Sequence, residues 1–226
     1  IKTLMGRPEA TASAYAVDEY VVADELGGEA ALARLTERAA RHGLRLGGDV
    51  VANHTGLDSR WLIEHPERFL SLDASPFPVY SFGGEDLSPD PRVAIHLADQ
   101  YLDRSDAPVV FRRTDRETGD VRYVYHGNDG TALPWNDTAQ LDYLEPATRD
   151  AMAATIVEVA RRLPILRLDA AMTLARQHVQ RLWYPPPGRG GAIPSRAGHG
   201  LAPDEFARRM PREFWREVAD RVRAEA

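Results

Sequence analysis

Apolar residues recur at helical spacing in two stretches, and each stretch leads into a short apolar run. In the first, residues 29–42, Leu32, Leu35 and Ala39 fall on one side of a predicted helix. Gly43 then suits the left-handed residue that commonly ends a helix. The run "LRLGGDVVANH" follows and ends in polar residues, so we predict a β-strand there.

The same order of elements returns about a hundred residues later. Pro146 suits the first turn of a helix, and Met152, Ile156, Ala160 and Leu163 mark one apolar face. Pro164 ends this helix, and "ILRLDA" follows as a second predicted strand. A helix, a tight connection and a strand with polar residues at its carboxyl end, occurring twice, predict an α/β fold with a parallel sheet.

Residues 56–137, between the two units, are rich in Pro, Gly, Asp and aromatic residues. They contain a predicted hairpin, "VVFRRTDRETGDVRYVY", and the stretch is too long for a bare loop. We interpret it as an irregular, β-containing insertion after a strand. Further on, residues 184–200 have loop composition, and the last 24 residues predict helices, the final one with Phe214, Val218 and Val222 on one face.

Composition excludes several classes of function. The formal net charge of −6, without a block of Lys or Arg, argues against nucleic-acid binding. The chain has no cysteine, and no apolar run reaches the roughly 20 residues that span a bilayer. We therefore expect a soluble protein without a membrane partner, in a compartment that the sequence does not indicate. Because the chain begins at Ile1, we expect it to be part of a longer protein.

Polar residues at the ends of the two predicted strands are the candidates for chemistry. Residues two apart on a strand face the same way, so Arg167 and Asp169 share a face, as do Asp49 and Asn53. A guanidinium beside Asp169 would keep that carboxylate ionised, as a nucleophile requires. Alone, each strand end also fits a structural explanation: a surface ion pair, or a hydrogen-bonded histidine at His54. Active sites of β/α barrels lie at the carboxyl ends of strands, and that favours a site.

Four segments together resemble the α-amylase family, glycoside hydrolase family 13. These are "SAYAVDEYVVADELGG" (13–28), "DVVANH" (49–54), "WNDTAQLDYLEPATRDAM" (135–152) and "LRLDAAM" (166–172), in the family's order. The resemblance implies a partial (β/α)8 TIM barrel, about strands 2–4 with their helices. Residues 1–55 and 138–226 would form this partial barrel, and residues 56–137 the inserted domain B.

The resemblance also assigns roles to single residues. Asp169 matches the family's catalytic nucleophile, and Arg167 matches the arginine that holds it. His54 matches a substrate-binding histidine, expected to donate a hydrogen bond to a sugar hydroxyl, and Tyr15 matches a tyrosine that stacks on the sugar. The implied reaction is retaining hydrolysis of α-glucosidic, α-1,4 bonds in starch- or glycogen-type glucans, with an α-glucan or maltooligosaccharide as substrate.

Some positions depart from the family pattern. Asn53 matches a calcium ligand of many members, but Gln140 stands where those members have an acid, so a calcium site is in doubt. Asp49 matches a carboxylate with a mainly structural role. Met172 and Thr173 replace the Lys-His pair that follows the nucleophile in many amylases, and this weakens the inference of strict α-amylase specificity. The resemblance implies no other cofactor.

The general acid of a retaining glycosidase is a second carboxyl group, and the family's glutamate has no match in this chain. We expect it in sequence that completes the barrel, and expect the segment alone to be inactive. Asp137, Asp142 and Glu145 could be substitutes, although no motif supports them. Two alternatives stay open: a transglycosylase or isomerase of the same family, and a non-catalytic α-glucan-binding relative. Five aromatic residues could stack on sugar or pack in the core: Trp61, Tyr80, Phe82, Trp135 and Trp183.

Overall fold

A parallel pair of strands lies at the centre of the α/β arrangement. The computed structural model describes residues 13–130 and 133–226. Strands β1 (Gly47–Val51) and β8 (Ile165–Asp169) pair in parallel, as predicted. Their register sets Asp49 opposite Arg167 and Val51 opposite Asp169, so the polar residues of both strands meet at one end of the pair.

Two antiparallel sheets complete the β-structure of the described residues. Strand β2 (His54–Gly56) pairs with β7 (Thr138–Gln140). The other sheet has the order β3-β6-β5-β4, with strands β3 (Ser71–Leu72), β4 (Val93–His96), β5 (Val110–Asp115) and β6 (Val121–Tyr125). The predicted hairpin is confirmed as β5 and β6. Gly119 in its turn has φ +76°, a conformation that glycine adopts readily.

Seven α-helices accompany the strands in the described ranges: α1 (Gly28–Arg41), α2 (Arg60–Glu64), α3 (Asp99–Leu102), α4 (Pro146–Arg162), α5 (Arg176–Trp183), α6 (Pro203–Arg209) and α7 (Phe214–Glu225). Helix α4 begins at Pro146 and buries Met152 and Ile156, as its pattern predicts. Phe214 of α7 packs edge-on against Tyr143, with ring centroids 4.8 Å apart. None of these helices combines the length and the apolar character needed to cross a membrane.

Helix α1 lies within one residue of the predicted bounds at each end, and its apolar side is only partly buried. Its carboxyl end is closed by Leu44, whose N–H bonds to the Ala39 oxygen across the left-handed Gly43. Ala39 is buried, whereas Leu35 is 53% exposed. Periodicity shows which residues share a helix face, but not what that face contacts.

Residues 13–28, the first of the four segments that resemble the family, contain no strand. This segment is held to β1 by a side chain instead. The Tyr20 hydroxyl accepts a hydrogen bond from the Val51 N–H at 2.7 Å and donates one to the Val51 oxygen at 2.9 Å. Residues 1–12, which we also assigned to the barrel, lie outside the described residues.

Candidate active site

Arg167 links the two parallel strands at their carboxyl ends. Its guanidinium donates to an Asp49 carboxylate oxygen at 2.8 Å and to an Asp169 carboxylate oxygen at 2.9 Å. Arg167 and Asp169 therefore share a face of the strand, as predicted. The carboxylate of Asp169 is held in one orientation by a permanently charged donor.

Tyr15 lies over this ion-pair group. Its hydroxyl donates to Asp49 and accepts from Arg167, each at 3.2 Å, and its ring centroid lies 5.9 Å from the guanidinium carbon. Hydrogen bonds to Tyr15 and Asp49 raise the pKa of Arg167 above its ordinary value. Tyr15 as a residue is 40% exposed.

His54 is buried beside Tyr15 and neutral. Burial lowers its pKa to about 4. The neutral ring is consistent with Nδ1 accepting from the Asn53 amide at 3.4 Å while the Nε2 proton is donated to the Tyr15 main-chain oxygen at 3.1 Å. Both ring nitrogens of His54 thus have protein partners, and the expected hydrogen bond to a sugar hydroxyl stays a prediction.

A cavity of about 260 Å³ opens in front of Asp169. Its lining contains three of the four predicted catalytic and substrate-binding residues, and the full set is Ser13, Tyr15, His54, Trp135, Asp137, Thr138 and Asp169. The Trp135 ring lies 5.0 Å from the His54 ring, between centroids. A Cβ on the neighbouring Gly127 would approach both rings and the Thr138 hydroxyl to 3.1 Å or less, so this wall requires glycine.

Only one of the three acids nominated as substitutes lines this cavity. Asp137 does so. Asp142 lies elsewhere in a half-buried position, where desolvation raises its pKa and the Tyr184 hydroxyl donates to it at 2.6 Å. Glu145 pairs with Arg209 at 3.0 Å. Of the five aromatic candidates, Trp135 alone lines the cavity; Phe82 and Trp183 belong to the buried core.

The turn that follows Asp169 has an unusual backbone. Ala170 adopts φ +49°, the left-handed region that costs a residue with a Cβ about 1 kcal/mol. The Thr173 hydroxyl donates to the Ala170 oxygen at 2.7 Å, and it also lies 3.1 Å from the Asn53 side-chain oxygen. Thr173 is buried and connects the turn after Asp169 to the residue that follows β1.

The residues around Asn53 do not fit a calcium ion. Its side-chain oxygen already accepts from the Gln140 amide at 3.1 Å and lies 3.1 Å from the Thr173 hydroxyl. Calcium takes six to eight oxygen ligands, several of them carboxylates, and no group of three or more His, Cys, Asp or Glu able to hold a metal occurs in the described ranges. The tentative role of Asn53 as a calcium ligand is not supported.

Comparison with solved structures identifies the fold. The chain superposes on trehalose-6-phosphate hydrolase from Bacillus licheniformis with a TM-score of 0.56 and 17% identity, over 96% of this chain and 34% of that one. A family GH13_31 enzyme gives 0.54 and 15%, over 92% and 35%. Isomaltulose synthase from Klebsiella sp. LX3 gives 0.51 and 16%, over 96% and 34%. The chain has the fold of part of a glycoside hydrolase family 13 enzyme.

The resemblance inferred from the four segments is thus confirmed at the level of the fold. No protein-family model and no curated protein matches the chain. The chain spans about a third of the length of these family 13 structures. The set of neighbours includes a hydrolase together with synthases of isomaltulose and trehalulose.

Proposed function

We propose that this chain is the nucleophile-bearing part of a retaining family 13 enzyme that cleaves α-glucosidic bonds, of the α-1,4 type in starch- or glycogen-like glucans. The observation that supports this most is the placement of Asp169. It lines a cavity, it is held by Arg167, and it lies beside an aromatic ring and a buried neutral histidine.

In the proposed reaction, an Asp169 carboxylate oxygen attacks the anomeric carbon as the glycosidic bond breaks. A general acid outside this chain protonates the departing oxygen, and a covalent glycosyl–Asp169 ester forms. Water, activated by the same group acting as a base, then releases the sugar and restores the carboxylate. Arg167 orients the Asp169 carboxylate for the attack and again when hydrolysis of the ester restores it.

The cavity suits one sugar ring. Its volume of about 260 Å³ lies below the roughly 300 Å³ at which pockets for drug-sized ligands begin. Tyr15 and Trp135 offer ring faces for stacking, and Asp137 offers oxygens to hydroxyl groups. We propose that His54 acts mainly by holding the Tyr15 segment against this cavity, through its bond to the Tyr15 oxygen.

The same proposal assigns residues 1–55 and 138–226 to a partial barrel and residues 56–137 to domain B. Strands β1 and β8 pair only with each other, so each has a free edge in the described part of the chain. Ile165 and Leu44 are exposed near that pair. Further barrel strands would cover these edges, and without them we expect no turnover.

Transfer or isomerisation is the second candidate. It is favoured by the neighbours that synthesise isomaltulose and trehalulose. It is also favoured by Met172, 58% exposed, and buried Thr173 at the positions of the Lys-His pair. In this case a sugar hydroxyl would replace water in the second step. A non-catalytic α-glucan-binding relative is the remaining alternative.

The test uses the complete polypeptide that carries this chain. The wild type and Asp169→Asn are incubated with soluble starch, a maltooligosaccharide and sucrose, and NMR follows the products and their anomeric configuration. Asp120→Asn, in the exposed hairpin turn, is the matched control. We expect α-configured products, a loss of several orders of magnitude in Asp169→Asn, and an unchanged control.

The products separate the candidates. Reducing sugars alone indicate hydrolysis, whereas rearranged disaccharides or longer oligosaccharides indicate transfer. Equal rates in the wild type and Asp169→Asn would contradict a nucleophilic role. Binding of glucan without turnover in either protein would favour the non-catalytic relative.

A further inference from the structure

Gln140 lies where the end of β1, strand β2 and strand β7 come together. It pairs in register with His54, and its side chain is 1% exposed. The residue connects the segment leading to the candidate site with the strand that returns from the insertion. A buried polar side chain at such a junction must satisfy all its donors and acceptors within the protein.

The amide nitrogen of Gln140 is surrounded by oxygen atoms. The Asn53 main-chain oxygen lies 2.9 Å away, the Asn53 side-chain oxygen 3.1 Å and the Leu141 main-chain oxygen 3.1 Å. An amide nitrogen carries two hydrogens, so three acceptors share two donors. Neutral carbonyl and amide oxygens converging on one point are also ligands that a hard cation uses.

The other end of the amide fixes its orientation. The Gln140 side-chain oxygen accepts from the Asn53 amide at 3.2 Å and from the Asn128 N–H at 3.4 Å. Exchange of the oxygen and nitrogen positions would set an acceptor against three acceptors and leave these donors unpaired. The partially positive N–H group therefore points into the oxygen cluster.

We infer that the neutral Gln140 amide occupies the place of a cation and holds this junction together without metal. The N–H hydrogens supply the positive charge that the three oxygens need, and the amide oxygen closes the network on the opposite side. The Thr173 hydroxyl lies 3.1 Å from the Asn53 side-chain oxygen and donates to the Ala170 oxygen. It thereby extends the same network to the turn after Asp169. This inference rests on hydrogen bonding alone and is independent of the proposed function.

A shorter, charged side chain should convert the cluster into a metal site. In Gln140→Asp the amide nitrogen is gone, and the carboxylate is set back by one methylene. The vacated space is then bounded by the three oxygens, the Thr173 hydroxyl and a carboxylate, a set suited to Ca²⁺. Gln140→Asn is the matched control, because it is equally short but carries no charge.

The experiment is thermal unfolding of the 226-residue chain and both variants, in a chelator and in roughly 10 mM Ca²⁺, above the Kd of weak calcium sites. We expect the same Tm for the wild type in both buffers. We expect both variants to lose several degrees in the chelator. Calcium should restore the Tm of Gln140→Asp only, since a ligand that binds the native state raises stability.

A lower Tm of the wild type in the chelator would overturn the inference, because the junction would then contain a metal. So would a folded Gln140→Asp variant whose Tm is indifferent to calcium, or an equal calcium response in Gln140→Asn. If Gln140→Asp is unfolded in the chelator, recovery of its native circular dichroism on adding calcium supports the inference, and failure to recover contradicts it.

Discussion

Arg167 donates to Asp49 at 2.8 Å across the two parallel strands, and the same guanidinium holds Asp169 at 2.9 Å. One planar cation thus fixes two carboxylates that neighbouring strands bring to the same end of the sheet. Asp49 lies opposite Arg167 in the strand register, so the backbone as well as the side chains determines this geometry.

Arg167→Lys should therefore impair catalysis more than stability. A lysine presents a single charged point and cannot hold both carboxylates in the fixed geometry of a guanidinium. In the complete enzyme we expect kcat/KM to fall by at least an order of magnitude, while the Tm changes little because the pair is exposed. Arg122→Lys, in an exposed pair with Asp120, is the control. Wild-type kcat/KM in Arg167→Lys would contradict the role of Arg167.

The stability of the chain should fall as the pH is lowered through the range of histidine titration. Burial lowers the pKa of His54 and of His126 from 6.5 to about 4. The unfolded chain therefore binds protons between these values while the native chain does not. The stabilisation is present above pH 6.5 and is lost towards pH 4.

Urea unfolding at pH 7.5 and pH 5 checks this expectation. Each histidine should contribute a loss of about 2 kcal/mol in the free energy of unfolding at pH 5. Asp142, whose pKa is raised by burial, acts in the opposite direction. His126→Gln should flatten the pH dependence, and His42→Gln, at an exposed position, should not. A parallel profile for His126→Gln and the wild type would refute the assignment.

Thr173→Val tests the link between the turn after Asp169 and the end of β1. The substitution keeps the shape but removes the hydroxyl that donates to the Ala170 oxygen and contacts the Asn53 oxygen. We expect a loss of about 1 kcal/mol in unfolding free energy, the net contribution of one hydrogen bond, because the Ala170 oxygen still accepts from the Thr173 N–H and the Asn53 oxygen from the Gln140 amide. Thr173→Ser retains the hydroxyl and should recover most of this loss. Equal urea midpoints for the valine and serine variants would show that the hydroxyl contributes nothing.

The sequence predicts the elements that are bounded by proline or glycine. Pro146 and Pro164 bracket α4, Gly43 ends α1, and the hairpin turn at Gly119 separates two β-rich runs. Strands β2 and β7 were not predicted, because three residues are too few for an alternating pattern to be recognised. Their pairing depends on contacts between positions more than eighty residues apart, which no local pattern records.

The candidate site, too, could be predicted from the sequence only in part. Alternation along one strand sets Arg167 and Asp169 together, and the family resemblance adds Tyr15 and His54. Asp137 and Trp135 reach the cavity only because β7 pairs with β2. The contact between the His54 ring and the Tyr15 main-chain oxygen could not be predicted from the sequence either, because Tyr15 lies in a turn whose path depends on tertiary contacts.

The pairing of Gly56 with Thr138 has a consequence for how such a protein can diversify. Residues 57–137 leave and rejoin the antiparallel β2–β7 pair at a single register position. A graft of different length between these points needs no movement of β1 or β8, and the entropy of closing a longer loop grows only slowly. Trp135 and Asp137 line the cavity from within residues 57–137, whereas Asp169 does not belong to that segment. On the proposed function, exchange of the segment would alter selectivity for the sugar without disturbing Asp169.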